Sequence, residues 1–409
     1  MNVCVFDPTI QDDKSKVRGI GRYLQILREN FKDEFTFTDQ PMANFNRFQP
    51  ISTFINPFFN LLQPPLTMFR IAKKQVAVIH DLIPLKYPEH FPVGLKGRLN
   101  IFLNKIALRN YDVIITDSEV SKKDIVNILG LDESKVKVVY PCLPRIFTTK
   151  SVIASLRLGG EAISNKIAAS VDVRRLPRND MLKNYVLYVG DATWNKNLVN
   201  IARAIKLADV HCVFVGKVFQ TNTQIGGRKT FSESQLSEQV SPEEALALRV
   251  RLKDDRSRLI GMRVDLEENF SSRRDVYPWQ KELHEFLAMA KGDKRFIFPG
   301  FISDGELITL YEQASLNILL SHDEGFGFSY AEAATLGCPS LLSDRPIFHE
   351  IAGTAAEFVD PENVNIIAQA IKRCVNDPEK RKQIGSKAQE QSKLYSQKQF
   401  KEAFLKTIS

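Results

Sequence analysis

Short apolar runs alternate with amphipathic helical stretches along this chain. In the first half the strand-like runs are Asn2–Asp7, Gln75–His80, Val113–Asp117 and Val136–Tyr140, with helical periodicity over about 20–30, 95–110 and 119–129. A second series starts at Tyr185–Gly190. It continues through Cys212–Gly216, Arg295–Pro299, Leu316–Leu320, Ser340–Ser343 and Glu357–Val359, with a helix over about 278–290. Strands that alternate with helices form a parallel sheet covered by helices, so the fold class is α/β, repeated twice. The pattern places an N-terminal domain with its linker in 1–180 and a C-terminal domain in 181–390. A terminal helix in 391–409 is expected to pack back toward the N-terminal domain.

Two segments break the alternation. Residues 151–180 are poor in aromatics and read as an interdomain connection. Residues 221–275 are crowded with Lys, Arg, Asp and Glu, and hold one helix start at Ser241-Pro242-Glu243-Glu244. A bare loop of that length is improbable in a compact domain, so an inserted helical excursion is expected there. It is open whether that excursion contacts an acceptor or partner or is a tolerated surface insertion.

Composition narrows the class. The chain has 409 residues, 44% apolar and 25% charged, as in soluble globular proteins of more than one domain. It contains no apolar run long enough to cross a membrane, and Met1–Asp7 lacks the basic start of a signal peptide. Cys4, Cys142, Cys212, Cys338 and Cys374 are far apart within apolar segments, which suggests reduced thiols in a cytoplasmic protein and no metal spacing. The net charge is +8, and residues 1–150 carry 21 basic against 15 acidic groups. No nucleic-acid-binding motif accompanies that charge. The stretch from Gly94 to Arg109 reads as a basic amphipathic helix. It suits either an anionic membrane surface or a core-facing helix with a solvated basic edge.

The most informative stretch is Ser321-His322-Asp323-Glu324-Gly325-Phe326-Gly327-Phe328-Ser329-Tyr330-Ala331-Glu332. A strand runs into a glycine loop and then a helix, which Gly337 and Pro339 stop. Free amides and the positive helix end make such a loop an anion cradle. This arrangement resembles the E-x7-E signature of the retaining GT-B glycosyltransferases called glycosyl transferases group 1 (family 4). That resemblance implies two Rossmann-like domains facing a cleft and a nucleotide-sugar donor. It also implies that Glu324 lies beside the transferred sugar, that the amides of Gly325, Phe326, Gly327 and Phe328 hold the diphosphate, and that Glu332 binds ribose.

Other segments fit the same family. Gly190-Asp191-Ala192-Thr193-Trp194-Asn195-Lys196-Asn197 resembles its phosphate-contacting turn, which implies that Lys196 and Asn195 meet the donor. Asn195 stands where the family often has arginine, and Lys217 is the candidate to replace a missing phosphate cation. Arg18-Gly19-Ile20-Gly21-Arg22-Tyr23 matches the N-terminal glycine loop, with Gly19 and Gly21 expected at the cleft. Val78-Ile79-His80-Asp81-Leu82-Ile83-Pro84 is family-like, and the corresponding His lies over the sugar hydroxyls. The serine of Thr116-Asp117-Ser118 is expected to cap a helix at the cleft floor. Ser303 and Glu306 form a capping box beside the base pocket.

The chain has no Asp-x-Asp, so neither a metal nor another cofactor is expected, and protein cations must stabilise the leaving diphosphate. The expected partners are a GDP- or UDP-linked donor and a glycan or lipid-linked acceptor, at the inner face of a membrane. GDP-mannose is the first donor suggested by the resemblance, and UDP-hexoses stay open. A nucleotide-sugar epimerase on the same fold and a non-catalytic basic binding protein are the rival readings.

Overall fold

The computed structural model describes residues 2–10, 20–39, 51–148, 184–219, 278–300 and 302–409. The connection at 151–180, the excursion at 221–275 and Gly19 lie outside these residues. Six strands, β1 (Val3–Phe6), β2 (Phe35–Thr38), β3 (Thr53–Asn56), β4 (Lys74–Val78), β5 (Val113–Thr116) and β6 (Val136–Val138), form one sheet in the order β2-β1-β3-β4-β5-β6. Every recorded pairing in it is parallel. The helices beside it are α1 (Ile20–Phe31), α2 (Ile83–Lys86), α3 (Gly94–Ala107), α4 (Glu119–Leu129) and α5 (Arg145–Thr148). The sequence pattern did not mark β2 and β3.

The second sheet has strands β7 (Tyr185–Val189), β8 (His211–Val215), β9 (Phe296–Ile297), β10 (Leu316–Leu319), β11 (Ser340–Ser343) and β12 (Glu357–Val359), in the order β12-β11-β10-β7-β8-β9. These pairings are parallel as well. This is the doubly wound order whose strand succession reverses between β7 and β10, where such sheets keep their ligands. Its helices are α6 (Leu198–Ala208), α7 (Pro278–Ala290), α8 (Asp304–Gln313), α9 (Phe328–Thr335), α10 (Pro346–Ala352), α11 (Val364–Asn376), α12 (Pro378–Ser392) and α13 (Gln397–Ile408).

The central strands β3 and β4 of the first sheet and β7, β8, β10 and β11 of the second are buried on both faces, as in parallel sheets covered by helices, whereas the edge strands β2, β6 and β12 are partly exposed. The last helix, α13, leaves its own domain: Phe400, Phe404 and Ile408 pack with Val3, Val5, Tyr23, Leu27 and Phe31 of the first. Lys401 on it pairs with Glu34. All five cysteines are buried and unpaired. No described helix is long and apolar enough to cross a membrane.

Candidate active site

The carboxyl ends of the two sheets face one another across a cavity of about 370 Å³. Local chemistry builds its C-terminal wall. After β7 the chain makes a tight turn over Trp194–Lys196 that ends at Asn197, held in the left-handed region at φ 57°. The Asn197 amide stabilises that conformation by donating to the carbonyls of Leu320 (3.1 Å) and Pro361 (2.8 Å). The turn is thereby fastened to the end of β10, and Lys196 projects over the switch point.

There Lys196 Nζ donates to Glu324 Oε1 at 2.5 Å, and Ser321 Oγ donates to the same oxygen at 2.7 Å. Burial alone would push the lysine pKa down. Glu324, with Asp191 and Asp81, outweighs it and holds the ammonium above its ordinary range. The residues proposed to touch sugar and diphosphate therefore meet as an ion pair in the cavity wall.

The glycine loop follows at once. Gly327 caps α9 at φ 92°, and a Cβ there would stand 3.0 Å from Ile351. Gly325 serves a different need: a Cβ would meet the His80 carbonyl of the other domain at 2.9 Å. The Gly325 carbonyl in turn accepts from Ser118 Oγ at 2.8 Å. Gly325 through Ser329 border the cavity, and the amides of Phe328 and Ser329 precede the helix's own hydrogen bonds, which begin where the Tyr330 amide donates to the Gly327 carbonyl at 3.0 Å. The Phe326 ring packs in the core against Tyr395 and Phe328, so only its backbone is available to a ligand.

Glu332, one turn into α9, is 4% exposed and borders the cavity. Its Oε2 accepts from the Tyr311 hydroxyl at 3.0 Å, and Oε1 lies 3.6 Å from Arg22. Arg22 comes from α1 of the first domain and is 3% exposed. It donates to both oxygens of Asp304, at 2.8 and 2.9 Å, and lies over the Phe147 ring. Nothing local to Arg22 signals this role, because its partner lies 282 positions away.

His80 stands at the end of β4 with its ring flanked by Tyr23 and Phe58. Nδ1 lies 2.7 Å from Asp117 Oδ2 and Nε2 lies 3.2 Å from the Pro57 carbonyl. Both partners are acceptors, surroundings that favour a proton on each nitrogen. Burial opposes that charge; Asp117, supported by Asp81, outweighs it and raises the pKa. His80 borders the cavity as expected, but both ring nitrogens already face protein acceptors, so the ring itself is what it chiefly presents to the cleft. Asp81, beside it, is pushed up chiefly by burial, against the pull of the Ile83 amide and His80.

Three expectations fall away from the cavity. Asn195 is buried beneath the wall, donating to the Asp323 carbonyl at 3.1 Å while its own carbonyl accepts from the His322 amide. It shapes the loop and does not border the cavity. Lys217 is exposed and also stands away, because the turn after Gly216 carries it outward. Gly21 lies in the first turn of α1, and it is the next residues, Arg22 and Tyr23, that reach the cleft. Sequence reasoning also passed over Asp191 and Asp117, which border the cavity.

Further contacts clamp the domains around it. The amides of Glu119 and Val120, at the start of α4, donate to the Glu350 carboxylate at 2.7 and 3.0 Å, joined by the Tyr140 hydroxyl. Lys86 donates to Asp323 at 2.8 Å, and His90 stacks on Trp194 with ring centres 3.6 Å apart. Asp323 Oδ1 also accepts from the Glu324 amide at 2.9 Å, linking the clamp to the ion pair.

Two doubly wound sheets facing a cleft define a GT-B architecture. A solved Anabaena protein, Alr3699/HepE in complex with UDP-glucose, shares that fold with a TM-score of 0.60 at 16% identity, covering 100% of this chain and 99% of its own. Residues 277–391, holding Glu324, the glycine loop and Glu332, match the family described as glycosyl transferases group 1. The O-antigen chain mannosyltransferase RfbU of Salmonella typhimurium is 23% identical over 310 residues, 76% of this chain and 63% of RfbU. The serotype-specific mannosyltransferase WbdA of Escherichia coli is 31% identical over 123 residues, 30% of this chain and 15% of WbdA. The matches thus span less than two thirds of either relative's length.

Proposed function

We propose that the protein is a retaining hexosyltransferase that moves a hexose from a nucleotide sugar to a glycan or lipid-linked acceptor in surface-polysaccharide biosynthesis. The observation that carries this reading is the Lys196–Glu324 pair beside the amides of α9, at the switch point of the second sheet. GDP-mannose is the first donor to test, on the strength of the mannosyltransferases RfbU and WbdA. The HepE complex with UDP-glucose keeps a UDP-hexose as the alternative.

In the proposed reaction the anomeric carbon–oxygen bond to the diphosphate breaks while the acceptor oxygen bonds to that carbon on the same face. The acceptor proton passes to a diphosphate oxygen. Negative charge grows on the leaving diphosphate, and Lys196, the α9 amides and Arg22 supply positive charge there without a metal. Glu324 orients the donor sugar, and Glu332 with Tyr311 anchors ribose. His80 presents its ring to the acceptor side. The protein would work in the cytoplasm, at the inner face of a membrane that holds the acceptor.

Calorimetry with GDP, UDP, GDP-mannose and UDP-glucose tests the donor site. Binding of one nucleotide class, weakened in Glu332→Gln, supports the reading; binding of none refutes it. Nucleoside diphosphate released only when acceptor is present separates a transferase from an epimerase.

A further inference from the structure

Helix α3 is inside out. Its buried stripe is Asn100, Asn104 and Ala107, and the two asparagines bind backbone rather than packing in a core. Asn100 donates to the Leu62 carbonyl at 2.8 Å, and Asn104 donates to the carbonyls of Gln63 at 2.7 Å and Leu61 at 3.2 Å. Ile101 packs toward the core of the first domain, and three other apolar side chains point the other way. Leu95 is 86% exposed, Leu99 56% and Phe102 61%. Their spacings of four and three place them on one face of the helix. Phe69, 75% exposed, follows Met68, whose carbonyl accepts from Asn110 just beyond the helix.

Charge says what covers this face. Lys96, Arg98, Lys105 and Arg109 are all exposed on the same stretch, and residues 90–111 contain no acidic residue. None of the four forms an ion pair among the described residues. Apolar anchors ringed by unpaired cations match an anionic lipid surface, where rings and aliphatic chains enter the headgroup boundary and cations meet phosphates. A protein partner would have to bring its own carboxylates to a flat helix face.

The far side of the strip held by α3 supplies a use for such docking. Asn60, Leu61 and Leu62 also line a second cavity of about 170 Å³, largely apolar, with Phe59, Leu82 and Pro84. This cavity shares Phe58, His80 and Asp81 with the main one. We propose that the outward face of α3 docks on an anionic membrane and brings a membrane-held amphiphilic acceptor to the second cavity, beside His80 and Asp81. This rests on the glycosyltransferase reading for the acceptor, but the docking itself does not.

The test is flotation of the purified chain with vesicles of phosphatidylcholine alone or mixed with phosphatidylglycerol. Binding to the anionic vesicles that weakens with salt is expected. The triple variant Leu95→Ser/Leu99→Ser/Phe102→Ser should lose about 100-fold in partitioning, since three exposed anchors no longer enter the lipid. Lys105→Glu should lose more than five-fold on anionic vesicles only, removal of one cation near such a surface being worth roughly that factor. The changed side chains are exposed, so unaltered melting and nucleotide binding show that the fold and donor site remain. Wild-type protein that ignores both vesicles overturns the proposal, as does a triple variant that floats like wild type. Self-association abolished by the triple variant also overturns it, by giving the face to a second copy. Nucleotide binding measured in parallel tells failure of docking from failure of the transferase reading.

Discussion

Replacing Lys196 by methionine keeps the stem and removes the charge that the site is built around. Glu324 would retain only Ser321 Oγ as a donor at Oε1, with Asp81 and Asp191 nearby and no ammonium to offset them. In the reaction, the diphosphate would lose a preorganised cation that needs no reorganisation as charge develops. Loss of one such stabiliser costs about 10²–10³ in kcat, or roughly 3–4 kcal/mol of transition-state stabilisation. Stability should fall less than for a fully enclosed pair. The Lys196 and Glu324 side chains are still 18% and 10% exposed to the cavity, so water replaces part of the lost partner and about 1–3 kcal/mol is expected. The assay is release of nucleoside diphosphate at saturating donor and acceptor, with folding of each preparation checked by thermal melting. Removing Lys196 also removes a pull that lowers the Asp81 pKa, so that carboxyl should titrate higher in the variant. A folded Lys196→Met enzyme whose kcat stays within about three-fold of wild type would refute the role, because a charge stabiliser cannot be silent in the chemical step.

Glu332→Gln should raise the donor KM by about ten-fold or more and change kcat little, since ribose contacts are alike in ground and transition states; an unaltered KM in steady-state kinetics removes the assignment. Gly325→Ala should lower kcat roughly 10–100-fold, because its Cβ meets the His80 carbonyl at 2.9 Å and must push the facing domain away; wild-type kinetics would show that the cleft is looser than its contacts imply. Glu282, in α7, is pushed up to about 7 chiefly by burial, against a bond from the Val199 amide, and its Oε2 has no partner among the described residues. Its folded pKa exceeds the unfolded value, so the native state holds the proton more tightly and stability declines as pH rises from about 4.5 to about 7. Glu282→Gln should flatten that decline in melts taken across this range, and an unchanged slope would assign the pH dependence elsewhere.

The halves of the site differ in how they could be read. Glu324, the glycine loop and Glu332 lie within nine positions of one another, and their roles follow from a strand end, a loop and one helical turn. Lys196 likewise sits in a self-contained turn. Asn195 misled because a tight turn points consecutive side chains in different directions: the next residue faces the cavity while Asn195 faces the Asp323 carbonyl. Lys217 misled for a similar reason, its charge being legible but not the direction of its turn. The pairing of His80 with Asp117, which engages one ring nitrogen, required β4 and β5 to be neighbours in register.

The sequence by itself determined the elements with strong local signals: helices α1, α3, α4 and α7, most strands, the caps at Ser118 and Ser303, and the glycine-bearing cradle. These depend on periodicity, backbone propensity and contacts within a turn or two, all of which a linear string contains. Tertiary structure decided the rest. It joined Lys196 to Glu324 across 128 positions and Arg22 to Asp304 across 282. It also turned α3 so that asparagines face in and leucines face out. Such pairings depend on which sheet edges and strand ends come together, and burial then reverses the meaning of a residue that local pattern alone would place on the other side.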